Sequence, residues 1–186
     1  MSKISYKNDA TRAQEEAEGS DGRLNVSART DGRGYYNARD VKRAYSMPFQ
    51  MQTASAGEHV AYWQNTSTSR ELVISAIGIN SAENSRFKLW FVTGTAAGGT
   101  LVSPTNLNRQ SSNESEGISQ EGASAATGIT GLTESELIDF LYCLGGGHEE
   151  FRLHDRLRLG EGDAIAIEYD EGTDGDVGGV IFAYFE

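Results

Sequence analysis

The chain has 186 residues, a net charge of −11, one cysteine and an apolar fraction of 38%. That length admits one domain plus an appendage. The single Cys143 excludes an intrachain disulfide framework, and no apolar run approaches the roughly 20 residues that cross a bilayer. Met1-Ser2-Lys3-Ile4-Ser5 lacks the apolar stretch of a secretory leader, so the expectation is a chain made in a cytoplasm, with no membrane partner.

Charge is unevenly placed. Residues 1–44 hold 9 Lys/Arg against 7 Asp/Glu, whereas residues 45–186 hold 7 against 20. The balance is +2 for the first stretch and −13 for the second. An acidic body repels backbone phosphates, so no nucleic-acid partner is expected.

Residues 1–44 read as a polar N-terminal arm, extended or ordered on a partner. Residues 10–18 have fair helix propensity but no apolar stripe to hold a helix in water. Residues 29–40 mix Arg, Gly and Tyr. Two readings stay open: a linker, or a segment that orders against a partner through Arg29, Arg33, Tyr35, Tyr36 and Arg39. Arg and Tyr are favoured at interfaces, where aromatic anchors offset the entropy of ordering.

From Tyr45 the apolar pattern has period two. Met47, Phe49 and Met51 alternate with polar neighbours, and Pro48 marks an edge strand. Further strands are expected at 59–64, 71–79 and 86–93. Residues 94–131 form a long excursion poor in large apolar groups, with short strands near Leu101 and Leu107. Thr133 and Glu136 match a capping box, with Leu132 and Leu137 as its staple. A helix at 134–141 and a strand at 137–144 therefore both remain open. Alternation resumes at 150–159, 164–169 and 180–185. The last segment is apolar on both faces, so one face calls for a cover such as a neighbouring subunit. Some eight short strands without alternating helices predict an all-β, jelly-roll-like two-sheet sandwich over residues 45–186.

The usual signatures of catalysis are missing. There is no nucleophile elbow, phosphate-binding loop or dinucleotide fingerprint. His148 and His154 are six residues apart, where a helical zinc pair needs four. Glu149, Glu150 and Asp155 mimic a glycosidase pair but fit a charged strand face as well. Cys143 sits in an apolar run and reads as a buried, inert thiol. Trp63 and Trp90 suit a sugar-stacking platform, yet each lies in an alternating apolar run that favours packing. The best ion candidate is a weak Ca²⁺ site at Asp170, Asp174 and Asp176, whose spacing departs from an EF-hand loop. No metal or cofactor is expected, and no enzyme.

Two stretches carry family resemblances. Arg156-Leu-Arg-Leu-Gly-Glu-Gly-Asp-Ala-Ile-Ala-Ile-Glu-Tyr-Asp and Gly178-Gly-Val-Ile-Phe-Ala-Tyr-Phe resemble the closing hairpin of the trimeric tumour-necrosis-factor and complement-head jelly rolls, over about 30 residues. Trp63-Gln-Asn-Thr-Ser, Arg86-Phe-Lys-Leu-Trp-Phe-Val-Thr-Gly-Thr, Ser103-Pro-Thr-Asn-Leu-Asn-Arg and His148-Glu-Glu-Phe-Arg-Leu resemble tailed-bacteriophage virion structural proteins, across most of residues 45–186. The resemblances imply a homotrimer that decorates a capsid surface, with the major capsid protein as partner and the arm making the contacts. The rival expectation is a receptor- or glycan-binding head of a viral fibre, with 94–131 as its reading surface.

Overall fold

The computed structural model describes residues 36–123 and 128–186, and the backbone of four short strands before them. Contacts divide the chain into two compact units, Met1–Gly32 and Arg33–Glu186. In the first, β1 (Ser5–Lys7) pairs antiparallel with β2 (Gln14–Glu16), and β3 (Gly19–Ser20) with β4 (Arg23–Leu24). Gln14–Glu16 is therefore strand, inside the stretch whose propensity favours helix. Without an apolar stripe, propensity alone does not hold a helix that short.

The second unit opens on a single π-type turn, Asn37–Val41, ended by Lys42 in the left-handed region at φ 59°. The compact body thus begins ahead of residue 45. Arg43 N donates to Asn37 O at 2.9 Å, and Phe185 N donates to Arg43 O at 3.0 Å.

Two antiparallel sheets follow. One has the order β10 (Thr105–Asn106), β5 (Ala44–Ala54), β15 (Gly175–Phe185), β7 (Leu72–Ser81), β13 (His148–Leu159). The other has the order β12 (Thr130–Cys143), β8 (Ser85–Ala97), β14 (Ala164–Gly172), β6 (Glu58–Asn65), β11 (Gly117–Glu121), β9 (Thr100–Leu101). Of the eight long strands, the first pairs with the last (β5 with β15) and the second with the seventh (β6 with β14). The third pairs with the sixth (β7 with β13) and the fourth with the fifth (β8 with β12). Successive pairs fall in opposite sheets, which is the jelly-roll wrap. The two-sheet sandwich expected from the alternation is the fold.

The core lies between the sheets. Tyr45, Met47, Phe49 and Met51 enter it from β5, and Leu72, Ile74, Ile77 and Ile79 from β7. Trp63, Phe87, Leu89, Ile165, Ile167 and Tyr169 meet them from the second sheet. Each set occupies alternate strand positions, apart from one-residue irregularities such as that between Ile74 and Ile77. Pro48 sits beyond the two residues of β5 that pair with β10, where a residue without an N–H is tolerated.

The excursion at 94–131 is strand-rich. β8 runs on to Ala97, β11 pairs with β6, β9 with β11, and β10 with β5. Its remaining loop is poor in apolar side chains because hydrogen bonds hold it instead. Asn106 and Asn113 donate their Nδ2 to Lys42 O at 2.9 and 3.1 Å, and Asn108 Nδ2 donates to Ala38 O at 3.0 Å. Glu116 fastens the end of the loop. It accepts from Ser67 Oγ, from Arg43 at 2.9 Å and from Arg70 at 2.7 Å.

The Ser67 hydroxyl first, then the two guanidinium groups, hold the Glu116 carboxyl below its ordinary value of 4.5 despite partial burial. A folded-state value below the unfolded one contributes stability above 4.5, and that stability is lost as pH falls through the depressed value. Glu116→Gln is expected to cost about 1 kcal/mol at pH 7, after discounting for solvent screening. Urea midpoints of the two proteins should converge as pH falls below 4.5. A gap that stays constant down to pH ~3 would refute this account.

Candidate interaction surfaces

β15 is apolar on both faces, as expected. Val177, Ile181, Ala183 and Phe185 enter the core. On the opposite face, Tyr184 is covered by the chain itself, packing with Ala44, Val73 and Ala38. Val180 and Phe182 stay half-buried. Their cross-strand neighbours are small or flat: Val180 lies between Pro48 and Gly78, and Phe182 between Ser46 and Ala76. The His148 ring leans over Gly78, where a Cβ would come within 2.8 Å of Cε1. The result is a shallow apolar strip along the middle of the five-stranded sheet. A depression of about 230 Å³ beside Phe182 is bordered by Leu107 and Glu150.

The outer face of the six-stranded sheet differs. Tyr62, Trp90, Val92, Ala164 and Ala166 form a second apolar cluster there, with Ile129 and Leu132 against it. Beside it runs a row of paired charges. Trp90 Nε1 donates to Glu168 Oε2 at 2.6 Å. Lys88 Nζ lies 2.5 Å from Asp170 and 3.8 Å from Glu168. Arg86 binds Asp170 and, at 2.9 Å, Glu171. Burial raises the Asp170 carboxyl, but Lys88 and Arg86 outweigh it and hold the group below its ordinary value. Asp170 is thus held ionised by its two cations, an arrangement unsuited to a general acid.

The anticipated site residues are distributed as follows. Arg29, Arg33 and Tyr35 lie outside the described residues. Tyr36 and Arg39 are exposed on the turn that opens the body. The Ca²⁺ candidates do not converge: Asp170 turns to Lys88 and Arg86, while Asp174 and Asp176 are exposed. Among the described residues, no three His, Cys, Asp or Glu side chains group as metal ligands. Glu150 pairs with Arg152 at 2.6 Å. Cys143 is buried, and burial pushes its thiol up, away from the thiolate.

The two tryptophans separate. Trp63 is a core residue, and Trp90 lies half-buried on the outer face. His154 and Asp155 occupy the left-handed region, φ 49° and 59°. They lie in a bulge that sets residues 153–156 against Ser75 alone, between the Arg152–Ala76 and Leu157–Ile74 pairs.

Sequence reasoning missed the exposed side chains of β12. Residues 134–143 are strand throughout, so Phe140 and Tyr142 share the outer face while Leu141 and Cys143 enter the core. The signal was the two-residue spacing of Phe140, Tyr142 and Leu144, masked by the competing helix cap.

The chain matches no family model, no curated protein sequence and no solved structure.

Proposed function

We propose that this chain is a structural, non-catalytic protein of a virus particle: a homotrimer that decorates and stabilises the outer capsid shell, with the major capsid protein as its partner. The observation that carries the assembly is the strip of Val180 and Phe182 on the outer face of the five-stranded sheet. Two large apolar side chains amid small neighbours gain little by themselves and gain more when a second flat surface covers them. A subunit of the same kind supplies that surface in a closed ring. Docking to the shell is supported by the virion resemblance and by the charge contrast, +2 for residues 1–44 against −13 for the rest.

Light scattering tests the assembly. The native chain should run at three times its 20.1 kDa mass. Val180→Lys combined with Phe182→Lys should give the single-chain mass with an unchanged far-ultraviolet spectrum. A native protein that runs as one chain sinks the trimer. Reversing the charge of the arm with Arg29→Glu, Arg33→Glu and Arg39→Glu should leave the trimer intact and abolish co-sedimentation with capsid shells. Full occupancy by the charge-reversed protein would overturn the docking role of the arm.

A further inference from the structure

We propose that the cleft between the end of β12 and the β14–β15 turn is a binding site for a neutral saccharide. The cleft has a volume of about 540 Å³, within the range of small-ligand sites. One wall is formed by Tyr142, which is 62% exposed; Phe140, 40% exposed, lies beside it on the same face of β12, outside the lining. Arg86 joins them: its guanidinium lies 5.4 Å from the Phe140 ring centroid and meets the Tyr142 hydroxyl. The facing wall is polar, formed by Glu171, Gly172 and Thr173, with Asn84 closing one end.

These groups are set in place by bonds outside the cleft. Asn84 Oδ1 accepts from Gly145 N at 2.8 Å, which fixes the carboxamide and leaves its NH₂ to donate. Tyr169 Oη donates to Thr173 O at 2.7 Å and holds the turn down. Gly172 permits that approach, since a Cβ there would strike the Tyr169 hydroxyl and come within 3.0 Å of Asn84 O. Glu171 meets Arg86 through one oxygen, Oε2.

The chemistry of the ligand follows from this wall. An exposed ring with an apolar face suits a partner that also has one flat apolar face. Fixed amide and carboxylate groups at its rim suit a partner rich in hydroxyls. Charge discriminates further. Arg86 and Lys88 are both paired, with Asp170, Glu168 and Glu171, so neither cation is left to attract an acidic substituent. A pyranose without charged substituents has all three properties. The reading rests on no assembly state and leaves residues 94–131 out of the site.

The test uses the full chain on an array of neutral and acidic oligosaccharides, followed by calorimetry on the neutral hits. Binding should be insensitive to salt, because the charges of the site are internally paired. Tyr142→Ala should weaken it about tenfold or more. Tyr142→Phe, which keeps the ring, should retain most of it, and Tyr36→Ala, in a different depression, should leave it unchanged. Retention of no neutral glycan overturns the proposal. So does retention of acidic glycans alone, or affinity indifferent to Tyr142→Ala.

Discussion

Replacing Gly179 with valine is expected to remove about 3 kcal/mol of stability or more. Gly179 lies on the inner side of β15, opposite Phe49 on β5 and Ile79 on β7. A Cβ there would strike the Gly78 carbonyl oxygen and come within 2.8 Å of Phe49 Cε1. Phe49 is buried and cannot swing into solvent. The carbonyl belongs to the neighbouring central strand and cannot retreat without breaking the ladder. Domains of this size have about 5–15 kcal/mol in total, so the loss is a large share. Urea midpoints would measure it. Phe49→Leu in the same chain should recover part of the loss, because it relieves one of the two clashes. A Gly179→Val protein with the native midpoint would show that the sheets do not meet as described.

Trp63→Ala is the second large effect, about 3–5 kcal/mol. The indole is fully buried among both sheets. Its Nε1 has no hydrogen-bond partner among the described residues, and a Cβ on Gly117 would come within 2.7 Å of that atom. Trp63→Phe removes volume and also removes an unpaired donor, so it should cost clearly less than the alanine change. Trp90→Ala should cost only about 1–2 kcal/mol, since that ring is half-buried and tied mainly through Glu168. Equal losses for Trp63→Ala and Trp90→Ala would contradict the placement of the two rings on opposite faces of one sheet.

The contrast between the two tryptophans illustrates what period-two alternation conveys. Alternation placed Val60 to Trp63 and Phe87 to Val92 in strands, because burying one face of a pleated strand demands that spacing. It did not distinguish a buried face from a covered outer face, since both are apolar in sequence. At 134–144 local signals conflicted. The Thr133–Glu136 cap favoured helix, and pairing with β8 decided for strand despite irregular register near Glu134 and Leu137. The loop held by Asn106, Asn108 and Asn113 was invisible to apolar counting, because its stability comes from side-chain donors to the main chain. The His154–Asp155 bulge was likewise hidden. His and Asp tolerate the left-handed region, but nothing in alternation says when they enter it. The cleft at Tyr142 depends on both unread features of β12: its strand conformation and its position at the sheet edge.

The pairing of first strand with last has a kinetic consequence. β15 is the final strand of the sandwich to leave the ribosome, yet its place is inside the sheet, between β5 and β7. Until it arrives, both of those strands present open hydrogen-bonding edges and apolar inner faces. Closing the sheet must also join segments more than a hundred residues apart, as Tyr45 and Ala183 are, and such closures are slow. The five-stranded sheet therefore closes only after β15 is made, and a chain still lacking it is exposed to misassociation with its neighbours.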